Sequence, residues 1–239
     1  MNELLPILDL ESFVSTREAL HRVAEHVVAK ARYVDDGEIR LTPLMNGFAT
    51  PLLADKRRVR VEADELAIDT PEGSTQHRLT TIAAAAALVG VDPGFPSELY
   101  PPATSFDPDE PLNLDRAAAQ VLTAWNAFAG EVLAAFAGEI AGAHPSQLIL
   151  WPEHFDQAFY TEDDEEPRRS NYGASPGDAG HPEPYLYVGP WGSVATNEFW
   201  NAPHFTGAVL PLARLAASAL PVEMALDFFR AGRALLVAG

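Results

Sequence analysis

Apolar residues recur along this chain in two rhythms, and the rhythm changes with position. Leu20, Val23, Ala24, Val27, Val28 and Ala31 follow steps of three and four, the spacing of one helix face. Ser15-Thr16-Arg17-Glu18 precedes them in the form of a capping box, so the pattern predicts a first helix from about Thr16 to Arg32. From Ile39 the step shortens to two. Ile39 and Leu41, Val59 and Val61, and Leu66-Ala67-Ile68 read as strands, parted by Asn46-Gly47 and Pro71-Glu72-Gly73 turns. Lys56, Arg57, Arg58 and Arg60 surround Val59 and Val61, which puts the arginines on the wet face of their strand. Thr80 or Thr81 caps a short helix to about Ala87.

The longest helical pattern follows Asp115. Ala118, Val121, Leu122, Trp125, Phe128, Val132, Leu133, Phe136 and Ile140 hold one stripe, predicting a helix over about 116–140. Beyond it, Leu148-Ile149-Leu150-Trp151 and Tyr185-Leu186-Tyr187-Val188 read as short strands bounded by proline and glycine, and are expected to pair. Phe205–Leu220 reads as a strand or broken helix around Pro211, and Pro221 opens a final helix. The fold class is α+β: mostly antiparallel sheet packed against helices, with a long central helix and a C-terminal one. The chain reads as one globular unit that can be divided into lobes 1–92 and 112–239. Their connection, 93–111, is proline-rich and long enough to suggest a boundary or a functional loop.

Charge and composition narrow the function. Thirty-four acidic against 16 basic residues leave a net charge of -18, which opposes binding to nucleic acid and to anionic membranes. With no cysteine there is no disulfide, thiol nucleophile or cysteine metal site. The proline-broken acidic start is unlike a signal peptide, so a cytoplasmic location is expected. The strip Glu162-Asp163-Asp164-Glu165-Glu166 is expected to stay solvated and lacks the spacing of a calcium loop.

Chemistry-bearing residues concentrate between Gln147 and Trp200. Catalytic candidates are Glu153, His154, Asp156 and Asp178, as general acids, bases or orienting groups. In an extended backbone His154 and Asp156 share a face and Phe155 points away. His154, Asp156, His181 and Glu183 are the donor types that hold zinc, iron or manganese, making a divalent metal the candidate cofactor. Trp151, Asn171, Tyr185 and Trp191 are the candidate ligand-binding residues. Convergence of these groups depends on the expected pairing of 148–151 with 185–188. The serines lie in no nucleophile elbow, and Gly173–Gly180 has no phosphate-loop lysine.

The order of several blocks resembles an uncharacterised bacterial protein family, known as a domain of unknown function. Gly47-Phe48-Ala49-Thr50 looks like the family's early segment, and Trp151-Pro152-Glu153-His154-Phe155-Asp156 like its Trp-x-x-x-Phe-Asp motif. Pro182–Tyr187 and Gly207–Pro211 resemble its later segments. The acidic strip stands where the family has a Phe-Ser-Gly-Arg-like tract. The resemblance implies one folded unit and carries no established activity.

These features point to a small-molecule binding protein or enzyme with a pocket around 151–156 and 178–191. A metal-dependent hydrolase or carbohydrate-active enzyme is one alternative. A non-catalytic interaction or structural protein is the other.

Overall fold

The computed structural model describes residues 4–162 and 169–238, so the acidic strip from Asp163 onward lies outside the described residues. The chain forms two antiparallel sheets and a set of helices, an α+β fold. It divides into an N-terminal unit, Leu5–Ala127 with Ile149–Phe155, and a C-terminal unit, Phe128–Leu148 with the chain from Asp156 onward. That division differs from lobes meeting at 93–111. It falls inside the long helix, and the proline-rich stretch belongs to the N-terminal unit, whose first helical segment holds its polar groups.

In the N-terminal unit, α1 (Leu10–Val23), a π-helical turn (Ala24–Val28) and α2 (Ala29–Asp36) follow without a break. The helix begins before the expected Thr16. Asp9 is the cap, accepting the Glu11 amide at 3.1 Å. The residues of the supposed capping box are committed elsewhere. Glu18 holds the Arg17 guanidinium at 2.5 Å, and Thr16 accepts the Asp115 amide at 2.9 Å. Gly37, with φ +79°, ends the segment in the left-handed conformation that suits glycine.

Strands β1 (Thr42–Leu44), β2 (Gly47–Ala49), β3 (Arg58–Glu62), β4 (Glu65–Thr70) and β5 (Gly73–Arg78) form a meander in sequence order. Met45-Asn46 makes the first turn. A Cβ at Gly47 would lie 1.9 Å from the Val61 backbone oxygen, so only glycine lets β2 lie this close to β3. Val59, Val61 and Leu66 are buried beside Phe48, and Arg60 turns outward to Asp69 at 2.8 Å. The arginines therefore line the polar face, as their alternation predicts. Helix α3 (Ile82–Val89) is capped by Thr81. Its Ile82, Ala85, Ala86 and Val89 join Phe13, Leu20, Val23 and Val27 in one core. The short strand β6 (Ile149–Trp151) exchanges hydrogen bonds with Leu41 through Leu150, at 2.9 and 3.0 Å.

Helix α4 (Arg116–Glu139) is capped by Asp115, which accepts the Ala118 amide at 2.8 Å. It is the one described helix long and apolar enough to cross a membrane, and 56% of its most apolar stretch is buried inside the protein.

The C-terminal unit takes the rest of α4 and adds β7 (Asp156–Tyr160), β8 (Ser170–Ser175), β9 (Tyr185–Pro190), β10 (Ala208–Pro211), α5 (Leu212–Ala216) and α6 (Pro221–Ala238). Strands β7 to β10 lie side by side in sequence order. Phe159, Tyr172, Leu186 and Val188 occupy one sheet face. The Phe136 ring of α4 meets Phe159, Tyr172 and the Phe229 ring of α6 at 6.3, 5.0 and 5.3 Å, which fixes the two helices to that face. Arg230 adds a two-point bond from α6 to Glu139, at 2.6 and 2.8 Å. Both edges of β9 are taken, by β8 and β10, so the expected pairing of 148–151 with 185–188 does not form.

Trp125, 1% exposed, is the largest fully buried side chain. Trp125→Ala is expected to cost about 3–5 kcal/mol, measured by urea denaturation against the wild type.

Candidate functional site

The side of the β7–β10 sheet opposite Phe136 carries a different chemistry. Alternation along the strands and their register place Asp156, Ala158 and Tyr160 of β7 on it. Asn171, Gly173 and Ser175 of β8 join them, with Tyr185, Tyr187 and Gly189 of β9. The Tyr187 hydroxyl donates to the Asp156 carboxylate across the intervening strand. Gly173 makes that reach possible. A Cβ there would stand 2.4 Å from the Tyr187 ring, so the ring lies where any larger residue of β8 would be. Burial, then the Asp156 charge and its hydrogen bond, push the Tyr187 phenol well above the usual tyrosine range. At neutral pH it remains a protonated donor.

A second tyrosine–carboxylate pair sits at the end of the same face. The Tyr185 hydroxyl donates to Asp178 Oδ2 at 2.5 Å. Asp178 Oδ1 accepts the backbone amides of Gly180 and His181 at 2.6 and 2.9 Å. Burial, and then the bond to Asp178, raise the Tyr185 phenol as well. These three donors make Asp178 the cap of a loop, so its geometry does not fit the general-base role expected of it. The His181 ring stands edge-on to Tyr185 at 5.1 Å. Phe205 stands edge-on to Tyr187 at 6.1 Å.

At the other end of the face, Trp191 is 53% exposed. Its indole N–H donates to Asn171 Oδ1 at 2.9 Å, and the Tyr160 ring lies 5.8 Å away. A large aromatic is thus held in one orientation with half its surface in water.

Of the other expected residues, Trp151, Glu153 and His154 belong to the N-terminal unit and Glu183 to the C-terminal one. Residues 152–155 form a tight turn in place of extended backbone. The amides of His154 and Phe155 both return to the Trp151 carbonyl, at 3.2 and 2.7 Å. Phe155 has φ +54°, a conformation uncommon for a bulky residue. Its ring is held by stacking on His21 at 5.2 Å and by an edge contact with Phe48 at 5.5 Å. The turn cancels the expectation that His154 and Asp156 share a face of a strand. His154 is exposed and meets Tyr100 edge-on at 5.8 Å. Glu153 is buried, Trp151 half-buried at the end of β6, and Glu183 half-buried before β9. Among the described residues no group of three or more His, Asp or Glu side chains is placed to hold a metal ion. The expected set His154, Asp156, His181 and Glu183 is no exception.

The sequence reading missed a constellation in the N-terminal unit. Glu25 and His26, 0% and 1% exposed, lie in the π-helical turn. Glu25 accepts the backbone amides of Ala103 and Thr104 at 2.6 and 3.0 Å, and the Thr104 hydroxyl at 2.5 Å. The Phe95 amide donates to His26 Nδ1 at 3.1 Å, so the ring proton is on Nε2, which bonds Thr104 Oγ1 at 2.9 Å. Threonine, histidine and a carboxylate in contact suggest nucleophilic catalysis, but the directions are wrong for it. The hydroxyl proton of Thr104 is given to Glu25, and the histidine nitrogen facing it is a donor. The available signal was Val23-Ala24-Glu25-His26-Val27-Val28, a polar pair flanked by apolar residues on both sides.

No protein-family model, curated protein or solved structure matches the chain.

Gly173→Ala is expected to destabilise the fold by about 1–3 kcal/mol through overpacking against Tyr187. In a Tyr187→Ala background the same change should cost far less, because the ring it strikes is gone. A double-mutant cycle by urea denaturation checks this.

Proposed function

We propose that the protein binds a small molecule with hydroxyl groups and a flat apolar face, a sugar or sugar-like polyol, on the polar face of the β7–β10 sheet. The observation that carries this reading is Trp191. Its ring is exposed, yet its orientation is set by Asn171 and backed by Tyr160. Fixing an aromatic before the ligand arrives lowers the entropy cost of binding. An exposed aromatic of this kind offers its face to the C–H side of a sugar ring, while neighbouring amide and hydroxyl groups meet the sugar's hydroxyls.

The same face supports binding over turnover. Asp178 is spent on capping its loop, and the phenols of Tyr185 and Tyr187 are held protonated on carboxylates. Groups bonded in this way shape a surface and fix its donors. They do not supply a matched acid and base.

A panel of mono- and oligosaccharides, screened by calorimetry and by the indole N–H resonances in NMR, tests the reading. The expected hit shifts the Trp191 indole signal, and Trp191→Ala weakens its binding roughly tenfold or more, the scale of an aromatic contact. Asn171→Ala, which frees the ring, should weaken it less. A panel that leaves the Trp191 signal unmoved, or a hit bound equally by Trp191→Ala, would remove the proposal.

A further inference from the structure

The stretch rich in proline is tied to the helical segment beneath it at both ends. Gly94 donates its amide to the His26 carbonyl at 3.0 Å, and Phe95 donates to His26 Nδ1. At the far end Ala103 and Thr104 are held by Glu25 and His26. Between these anchors Pro96, Pro101 and Pro102 have no amide to give, and the inner turn is the Leu99 amide on the Pro96 carbonyl at 2.9 Å. Most side chains from Ser97 to Phe106 face solvent. Apart from its two anchors, with Phe95 buried in the core beside the first, the strap is held by single contacts of exposed side chains, the Tyr33–Glu98 hydrogen bond and the rings of Tyr100 and Phe106.

We propose that residues 94–106 form a strap operated by pH, closed while the His26 imidazole is neutral and released when it takes up a proton. The bond directions carry the argument. Nδ1 accepts from Phe95, so a proton placed there sets two donors against each other. Nε2 already donates to Thr104, whose hydroxyl is committed to Glu25, so no rotation of that hydroxyl restores the lost acceptor. The π-helical turn, closed by the Ala29 amide on the Ala24 carbonyl, presents Glu25 and His26 together to the strap.

The charges around His26 are few. On its own helical segment, Glu25 lies 3.7 Å from Nε2, and Arg22 is paired with Glu110 at 2.7 Å. Helix α3, packed on the same turn, is built of Ile, Ala, Leu and Val and brings no ionisable group. On the strap itself Glu98 accepts the Tyr33 hydroxyl at 2.7 Å, and Phe106 lays its ring 4.7 Å from the imidazole. Burial, opposed by a bond to the Thr104 backbone and aided by the Arg22 charge, lowers the His26 imidazole from 6.5 to about 4. An opened strap returns the ring to water and to its ordinary value. The contribution of His26 to the closed strap is therefore fully present above pH 6.5 and is lost as pH falls through about 4. The interval from 6.5 down to about 4 lets protonation of His26 shift the opening equilibrium by up to roughly 300-fold.

Hydrogen exchange on the full chain from pH 7 to pH 4, corrected for intrinsic rates, tests this. Peptides covering Phe95, Ala103 and Thr104 should lose protection by up to roughly 300-fold, while those of α4 hold theirs. His26→Asn places an amide oxygen where Nδ1 was and removes the titration, so its strap should respond little to acid. A wild-type strap that keeps its protection at pH 4, or an equal acid response in His26→Asn, overturns the proposal. If His26→Asn is open at every pH, an NMR titration of the wild type decides. The His26 ring transition must coincide with shifts at the Phe95, Ala103 and Thr104 amides, and a ring that titrates without them ends the idea.

Discussion

A carboxylate taken out of water costs several kcal/mol unless donors surround it. Glu25 is wholly buried, and the donors come from a segment far along the chain, the amides of Ala103 and Thr104 and the Thr104 hydroxyl. The path of the proline-rich stretch follows from that need. Prolines keep the segment extended and remove its own amides, so it arrives with few internal bonds and with the right groups free at its end. Asp156 in the other unit meets the same requirement in part through Tyr187, and the chain accommodates it by leaving β8 without a side chain at Gly173. In both places a polar group inside the protein decides what the neighbouring backbone must be.

Much of the architecture was legible because it rests on periodicity. The helix from Asp115, the strand with Val59 and Val61 buried and Arg60 outside, and the helix opened by Pro221 all follow from local patterns, while the turn expected at Asn46-Gly47 falls one residue earlier, at Met45-Asn46, with Gly47 inside β2. Elements of this kind are set by which side faces the core. The start of α1 was misread because Ser15 and Glu18 satisfy a local motif while Thr16 and Glu18 are claimed by Asp115 and Arg17. A capping motif states what a side chain can do, and distant partners decide whether it does so.

The candidate site was less legible, for a reason that can be stated residue by residue. Its construction assumed extended backbone after Trp151, and the left-handed Phe155 turns the chain instead. That conformation is paid for by the ring's contacts with His21 and Phe48, both distant in sequence. The assumption of a 148–151 to 185–188 ladder failed because β9 already has two neighbours. Strand pairing is a choice among partners, and a short apolar run carries no record of that choice. Asn171 and Tyr185 nevertheless fall on one sheet face with Asp156, since alternation within each strand survives any error about its neighbours, and Trp191, just past the end of β9, is tied to Asn171 of that face by its indole N–H.

The same alternation separates two kinds of polar group on that face. Tyr187 and Tyr185 end on carboxylates, and each pair answers its own hydrogen-bonding need within the sheet and its loop. Such pairs lock positions and leave little for a ligand to gain. Trp191 differs, because its single polar atom is satisfied by Asn171 while the rest of the ring stays wet. The bond removes rotational freedom that an exposed aromatic would ordinarily keep, and the side chain recovers little burial in return. An internal structural role accounts for the tyrosine pairs without remainder. Trp191 stands apart from them as an indole tied to Asn171 with half its area facing water, and it is on that feature that the proposed binding reading rests.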